Sequence, residues 1–277
     1  MADQRAQYTE EAVGAGHPTK ADVINRLALV EHNTDGTHKA DATLAKAAAY
    51  TVAAADKGKL IRATGGTWTL TLLAAATAGD GFPIRVENGG AGVVTVDGNG
   101  AELVGPAATI KLAQRDFLIL VCDGSNWRIA GHRISAHFRA TMAGAQSIND
   151  ATATKLQFAT EDADPLGDYD PAVNYRYTPS VPGWYVVSAG LNFTGAFSDG
   201  VRKNLSIGKN GTVSALADIR DGAASSATFL SGTKAVRMNG TADYLEAFVF
   251  HAQGAAQNVG GTTEGNAFFT AVLVAMD

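Results

Sequence analysis

From about Ala47 onward the sequence is cut into short apolar and β-branched runs, with a turn signal roughly every 8–12 residues. Trp68 to Leu72 alternates until Gly79-Asp80-Gly81. Phe82 to Val86 ends at Asn88-Gly89-Gly90, and Val93 to Val96 ends at Asp97-Gly98-Asn99-Gly100. Thr109–Leu112 and Phe117–Cys122 follow, and Asp123-Gly124 is a strong hairpin signal before Trp127-Arg128-Ile129. Segments this short cannot form helices of ordinary length, so the rhythm predicts a mainly β protein. The 31 Gly show no triplet repeat, so they read as turn residues and not as collagen.

Texture divides the chain into three parts: 1–46, 47–132 and 133–277. The first alone has helical spacing, with Val23, Ile24, Leu27 and Val30 on one face behind Pro18-Thr19 and a stop at Asn33-Thr34-Asp35-Gly36. A helix of about three turns is marginal alone in water. It either packs on its own domain or serves as a trimeric coiled coil or docking anchor. The second part reads as a small β-domain. The third holds eight or nine predicted strands, among them Lys155–Ala159, Tyr175–Tyr177, Gly183–Phe193, Ala227–Val236 and Ala267–Ala275, with a turn at Asn210-Gly211. That number in about 140 residues indicates one two-sheet sandwich.

Charge and composition exclude several functions. Net charge is −5, and residues 136–277 hold 9 Lys and Arg against 13 Asp and Glu. Such a balance does not neutralise phosphates, so no nucleic-acid partner is expected. One Cys excludes a disulfide framework and a cysteine zinc site. No apolar run approaches the ~18 residues that would span a bilayer. The N-terminus lacks the apolar core of a signal peptide. The chain is therefore expected to be made in the cytoplasm, with no membrane partner.

Two strands have apolar residues on both faces. Trp184 and Val186 lie opposite Tyr185 and Val187. Phe268, Val272 and Val274 lie opposite Phe269, Ala271 and Leu273. A sandwich strand ordinarily shows one apolar and one polar face. Both sides here call for burial, which predicts self-association through the outer face or cover from another segment of the chain. Trp184, Val186, Phe268, Val272 and Val274 are the candidate interface residues.

Tyr177-Thr178-Pro179 followed by Pro182-Gly183-Trp184-Tyr185 resembles the core motif of the C1q/TNF-like jelly roll. Asp168-Tyr169-Asp170, Phe158, Lys209-Asn210-Gly211 and Asn266-Ala267-Phe268-Phe269 through Leu273 resemble further motifs of that family, in the same order over about 140 residues. Met238 to Asp243 departs from the family's hairpin, and Ala271 stands where its last strand has Gly. The resemblance implies a jelly-roll head and a homotrimer. Tyr50-Thr51-Val52 with Asp56-Lys57-Gly58-Lys59-Leu60-Ile61, and Asp123-Gly124-Ser125-Asn126-Trp127-Arg128-Ile129, resemble a β-domain of bacteriophage fibre and spike proteins. The order of anchor, β-domain and head implies a fibre or spike of a phage or gene transfer agent. Its N-terminal segment would join a capsid or tail protein.

Catalytic signatures are absent. The six His show no metal-ligand spacing, Cys122 sits in an apolar run, and no nucleophile elbow or phosphate loop occurs. The acidic run 161–170 could bind Ca²⁺ or supply a glycosidase's carboxylates, but a solvated loop is the ordinary reading. No catalytic residue, metal site or cofactor is expected. Aromatic and polar loop residues suited to sugars are Tyr169, Asp170, Tyr175, Phe197, Asp199 and Arg202. The expected function is adhesion to a host capsular or surface polysaccharide. A capsule-degrading enzyme and a purely structural trimeric adaptor are the alternatives.

Overall fold

The structure, a computed structural model, describes residues 43–213, 216–222, 228–261 and 267–277. The predicted helix at Val23–Val30 and the attachment role assigned to its surroundings lie outside the described residues. The chain forms two β units, each with its own buried core. Among the described residues no helix is long and apolar enough to cross a membrane.

The first unit contains β1 (Thr43–Lys46), β2 (Tyr50–Thr51), β3 (Leu60–Ala63), β4 (Trp68–Thr71), β5 (Asp80–Asn88), β6 (Val94–Asp97), β7 (Thr109–Leu112), β8 (Phe117–Asp123) and β9 (Trp127–Arg133). Strands β1 to β6 alternate between two sheets, ordered β1-β3-β5-β8-β9 and β2-β4-β6-β7. The pairs β1–β3, β3–β5, β2–β4 and β4–β6 are parallel. The chain therefore winds as a short β-solenoid, and β7, β8 and β9 close it with antiparallel pairings. Stacked apolar residues drive the winding. Leu44, Ile61, Val86 and Leu118 are register partners across one sheet, and Leu70, Val96 and Ile110 across the other. β1 thus belongs to this unit, although the sequence places residues up to 46 in the N-terminal segment.

Both signature motifs of this unit are turns, the first a solenoid corner between β2 and β3 and the second the hairpin turn between β8 and β9. Buried Asp56 accepts hydrogen bonds from Tyr50 Oη at 2.6 Å, Ala53 N–H at 2.9 Å and Lys59 Nζ at 3.1 Å. Burial alone would raise its carboxyl, but these donors together hold it below the usual carboxylate range. The hydrogen bond to Asp56, with burial behind it, pushes Tyr50 up to about 12. At the second turn Asp123 Oδ1 accepts from the Ser125 and Asn126 N–H groups, Gly124 supplies φ +85°, and Trp127 Nε1 donates to Leu73 O.

The second unit contains β10 (His137–Thr141), β11 (Ala145–Ile148), β12 (Thr154–Lys155), β13 (Thr160–Ala163), β14 (Tyr169–Asp170), β15 (Arg176–Tyr177), β16 (Gly183–Phe193), β17 (Val201–Lys209), β18 (Leu216–Gly222), β19 (Thr228–Met238), β20 (Leu245–His251), β21 (Gln257–Gly260) and β22 (Ala267–Met276). One sheet runs β19-β16-β22-β10-β13, with β21 and β11 joined at the Phe193 end of β16. The facing sheet runs β14-β15-β20-β17-β18, with β12 on β20. The chain crosses between sheets at each step from β15 to β17 and from β18 to β20, which is a jelly roll. The core is aromatic at its centre. Phe138 stacks on Tyr169 and Tyr177 and meets the edge of Phe269. The expected strand at Lys155–Ala159 shrinks to β12, and β15 starts at Arg176 because Tyr175 takes φ +50°. Strands β11, β13, β14 and β21 have no counterpart among the strands expected from the sequence.

Buried polar groups join the units. Asp116, fully buried, accepts from Ala113 N–H, Ser135 N–H and Ser135 Oγ. Lys111 on β7 pairs with Asp168 of the head at 2.8 Å, and the same carboxylate accepts from Ser180 N–H and Oγ. Ile134 and Met276 pack against both cores.

Candidate functional site

Alternation along three adjacent strands builds one unusual surface. On β16 the residues Tyr185, Val187, Ala189 and Leu191 enter the core, so Trp184, Val186, Ser188 and Gly190 face outward. Val272 pairs with Val186, Thr270 with Ser188 and Phe268 with Gly190 on β22. Arg237, Ala235, Thr233 and Ser231 of β19 complete the rows, and Phe229 lies beside Asn192. Trp184, Val186, Phe229, Val272 and Val274 are 38% to 58% exposed. The face has two apolar ends separated by hydroxyls. Trp184, Val186, Val272 and Val274 form one end. At the other, Phe268 and Phe229 close over Gly190, where a Cβ would come within 2.5 Å and 3.0 Å of the two rings. Between them Ser188 Oγ and Thr233 Oγ1 lie 2.7 Å apart.

All five interface candidates lie on this face, with Phe268 half-buried and the others exposed. Phe229 is absent from the residues the sequence singles out. Its signal is the alternation with buried Leu230, which the sequence shows in the pair Phe229-Leu230 but which needs the register with β16 to be placed.

The six candidate sugar-binding residues do not form a site. Tyr169 is a core residue: its ring stacks on Phe138 and its hydroxyl donates to Phe158 O at 2.8 Å. Burial holds its phenol well above the ordinary value. Phe197 is also buried, against Phe193 and His251, with Lys203 Nζ 4.4 Å from its ring. Asp170 caps its own turn, accepting from Ala172, Val173 and Asn174, and these hydrogen bonds hold it down to about 2. Tyr175 ends that turn. Asp199 and exposed Arg202 sit elsewhere, with Arg202 Nε bonded to Asn204 Oδ1. β15 meets Leu245 at one end of β20, whereas Arg202 O accepts Ala252 N–H beyond the other. At ~3.4 Å per residue those points are roughly 20 Å apart along the sheet.

The acidic run is likewise dispersed. Asp162 pairs with Arg139, Asp164 accepts Tyr169 N–H, Asp168 holds Lys111 and Asp170 caps a turn. Among the described residues no group of three or more His, Cys, Asp or Glu is placed to hold a metal ion. One carboxyl stands out. Asp164 Oδ1 is buried without a hydrogen-bond partner, and burial, reinforced by Asp168 and Glu161, pushes the group up to about 6.

Fold and surface together define a class: a short β-solenoid carrying a jelly-roll head with an exposed apolar sheet face. No family model matches the chain, and no curated protein matches it. Solved structures similar to it include Eiger TNF from S. frugiperda, at 14% identity over 52% of this chain and 94% of that one, TM-score 0.34. Murine APRIL is similar at 11% identity over 50% and 98%, TM-score 0.36. The PRD1 vertex protein P5 is similar at 14% identity over 51% and 96%, TM-score 0.34.

Proposed function

We propose that this chain is a homotrimeric fibre or spike component of a virion or phage-like particle, and that it adheres to a host capsular or surface polysaccharide. The outer face of β16, β19 and β22 carries the reading. It exposes a tryptophan, a phenylalanine and three valines on one sheet, an apolar patch that a lone domain would leave in water. A second and third copy would cover it. The sequence resemblances to phage fibre domains and to C1q/TNF-like heads supply the particle and the three-fold state. The N-terminal segment would join a capsid or tail protein, and the chain would be made in the bacterial cytoplasm.

Adhesion follows from the assembly. Each head would bind sugar weakly, but three heads on one fibre raise the effective concentration at the cell surface. No bond need be cleaved. The test is co-sedimentation of the full chain with encapsulated host cells, alongside a reducing-end assay on purified capsule. Saturable binding without new reducing ends is expected. Release of reducing ends would make the protein a capsule-degrading enzyme, and no binding would leave a structural adaptor.

A further inference from the structure

Adhesion to a polysaccharide needs a site, and the sugar-binding candidates in the head are buried, self-capped or apart. A second location, which rests on that adhesive function, lies at the junction of the two units. A cleft of about 700 Å³ opens where the solenoid meets the last strand of the head. That volume lies within the usual range of small-molecule sites. Five residues of the second signature motif, Asp123, Asn126, Trp127, Arg128 and Ile129, line it. Leu103, Pro106 and Met276 add aliphatic surface, and Leu103 is 41% exposed.

The polar wall has an uneven hydrogen-bond balance. The side-chain carboxylates of Asp123 and Asp277 are already matched. Asp123 accepts from two backbone N–H groups and pairs with Arg128 Nε at 2.9 Å. Asp277 is held by Arg237 through Nε at 3.2 Å and Nη2 at 2.9 Å. The donors are not matched. Asn126 uses its Oδ1 to accept Leu103 N–H, while its Nδ2 has no partner among the described residues. The two terminal nitrogens of Arg128 and the ring of His132 likewise have none, and the Arg128 side chain is 77% exposed. A ligand seated here would meet an aliphatic floor and three solvent-facing donor groups that no protein acceptor occupies, one of them a permanent cation.

We propose that this cleft binds an acidic saccharide, a carboxylate-bearing sugar such as a uronic acid residue of a polymer. Its C–H face would lie on Leu103, Pro106 and Ile129. Its carboxylate would take the terminal N–H groups of Arg128, the planar donor pair that suits a carboxylate. Its hydroxyls would accept from Asn126 Nδ2 and His132.

The experiment is calorimetric titration of the full chain with trigalacturonate and with neutral maltotriose, for wild type, Arg128→Gln and His132→Gln. Arg128 pairs with Asp123 at the surface, where such a pair contributes little to stability, so the variant should melt with the wild type. Trigalacturonate is expected to bind, to weaken about ten-fold in Arg128→Gln, as loss of a charge-assisted hydrogen bond implies, and to outbind maltotriose. Absence of saturable trigalacturonate binding, equal binding of maltotriose, or unchanged binding in both variants would overturn the assignment. Cell co-sedimentation separates the two ideas. Arg128→Gln protein whose concentration dependence of pelleting with cells matches the wild type's sinks this cleft and leaves adhesion standing. Wild-type protein that fails to pellet sinks adhesion itself.

Discussion

Tyr185 donates its hydroxyl to Val181 O inside the head core, and its neighbour Trp184 stands on the outer face at 46% exposure. If copies associate through that face, Trp184→Ser removes an apolar anchor from every interface. Anchors of this kind cost about 2–4 kcal/mol each when truncated. The expected outcome in size-exclusion chromatography is a folded protein shifted to monomer, with Trp184→Phe close to wild type. A sugar-stacking role would give the reverse, an intact assembly that no longer binds cells. Asp164 makes a second residue-scale prediction. Its folded value of about 6 exceeds the ordinary 3.8, so folding takes up a proton between those values. Stability from this group is therefore greatest below about pH 4 and is lost as pH rises to about 6. Asp56, Asp123, Asp170 and Asp243 are held down, so their contributions are lost only as pH falls below the ordinary value. The window from about pH 5 to 6 lies clear of those four groups, so the comparison of wild type with Asp164→Asn there reads the buried carboxyl. Thermal melts across it should fall less steeply with rising pH in Asp164→Asn, and an unchanged slope would count against the buried carboxyl.

At the scale of elements, the solenoid depends on one asparagine. Asn88 is fully buried at the end of β5, donating to Gly92 O at 2.6 Å and Leu112 O at 2.8 Å and accepting from Gly90 N–H. Asn88→Ala leaves those groups unpaired in a dry corner and should cost about 3 kcal/mol, read as a lowered denaturant midpoint. A loss below about 1 kcal/mol would mean that water takes its place. The bounds of β16 and β22 were legible because Pro182-Gly183 and Ala267 open long alternating runs whose inner residues are all apolar. The parallel pairing of β1 to β6 was not. Turn signals such as Asn88-Gly89-Gly90 mark where a strand stops, and the same residues serve a hairpin or the corner of a solenoid. The sugar candidates failed for a related reason. Tyr169 and Phe197 lie next to turns in sequence, but the rings of Phe138 and Phe193 draw them inward, and burial of an aromatic beside a turn leaves no local signature.

For the whole molecule, Asp116 and the Lys111–Asp168 pair fasten the head to the solenoid. The two units should therefore melt together, and Asp116→Ala, which unpairs Ser135 and Ala113, should split or broaden the transition in calorimetry. A single sharp transition in that variant would show that packing at Ile134 and Met276 is enough. Deleting residues 1–42, which spares β1, should leave an assembly that binds cells but no longer joins particles; loss of cell binding by an intact assembly would contradict the division of labour. The central claim is that copies cover the face of β16, β19 and β22. Sedimentation equilibrium of the full chain tests it most directly. The account predicts a mass of three times 28.6 kDa at micromolar concentration, and a single species of 28.6 kDa with the Trp184 face still exposed would contradict it.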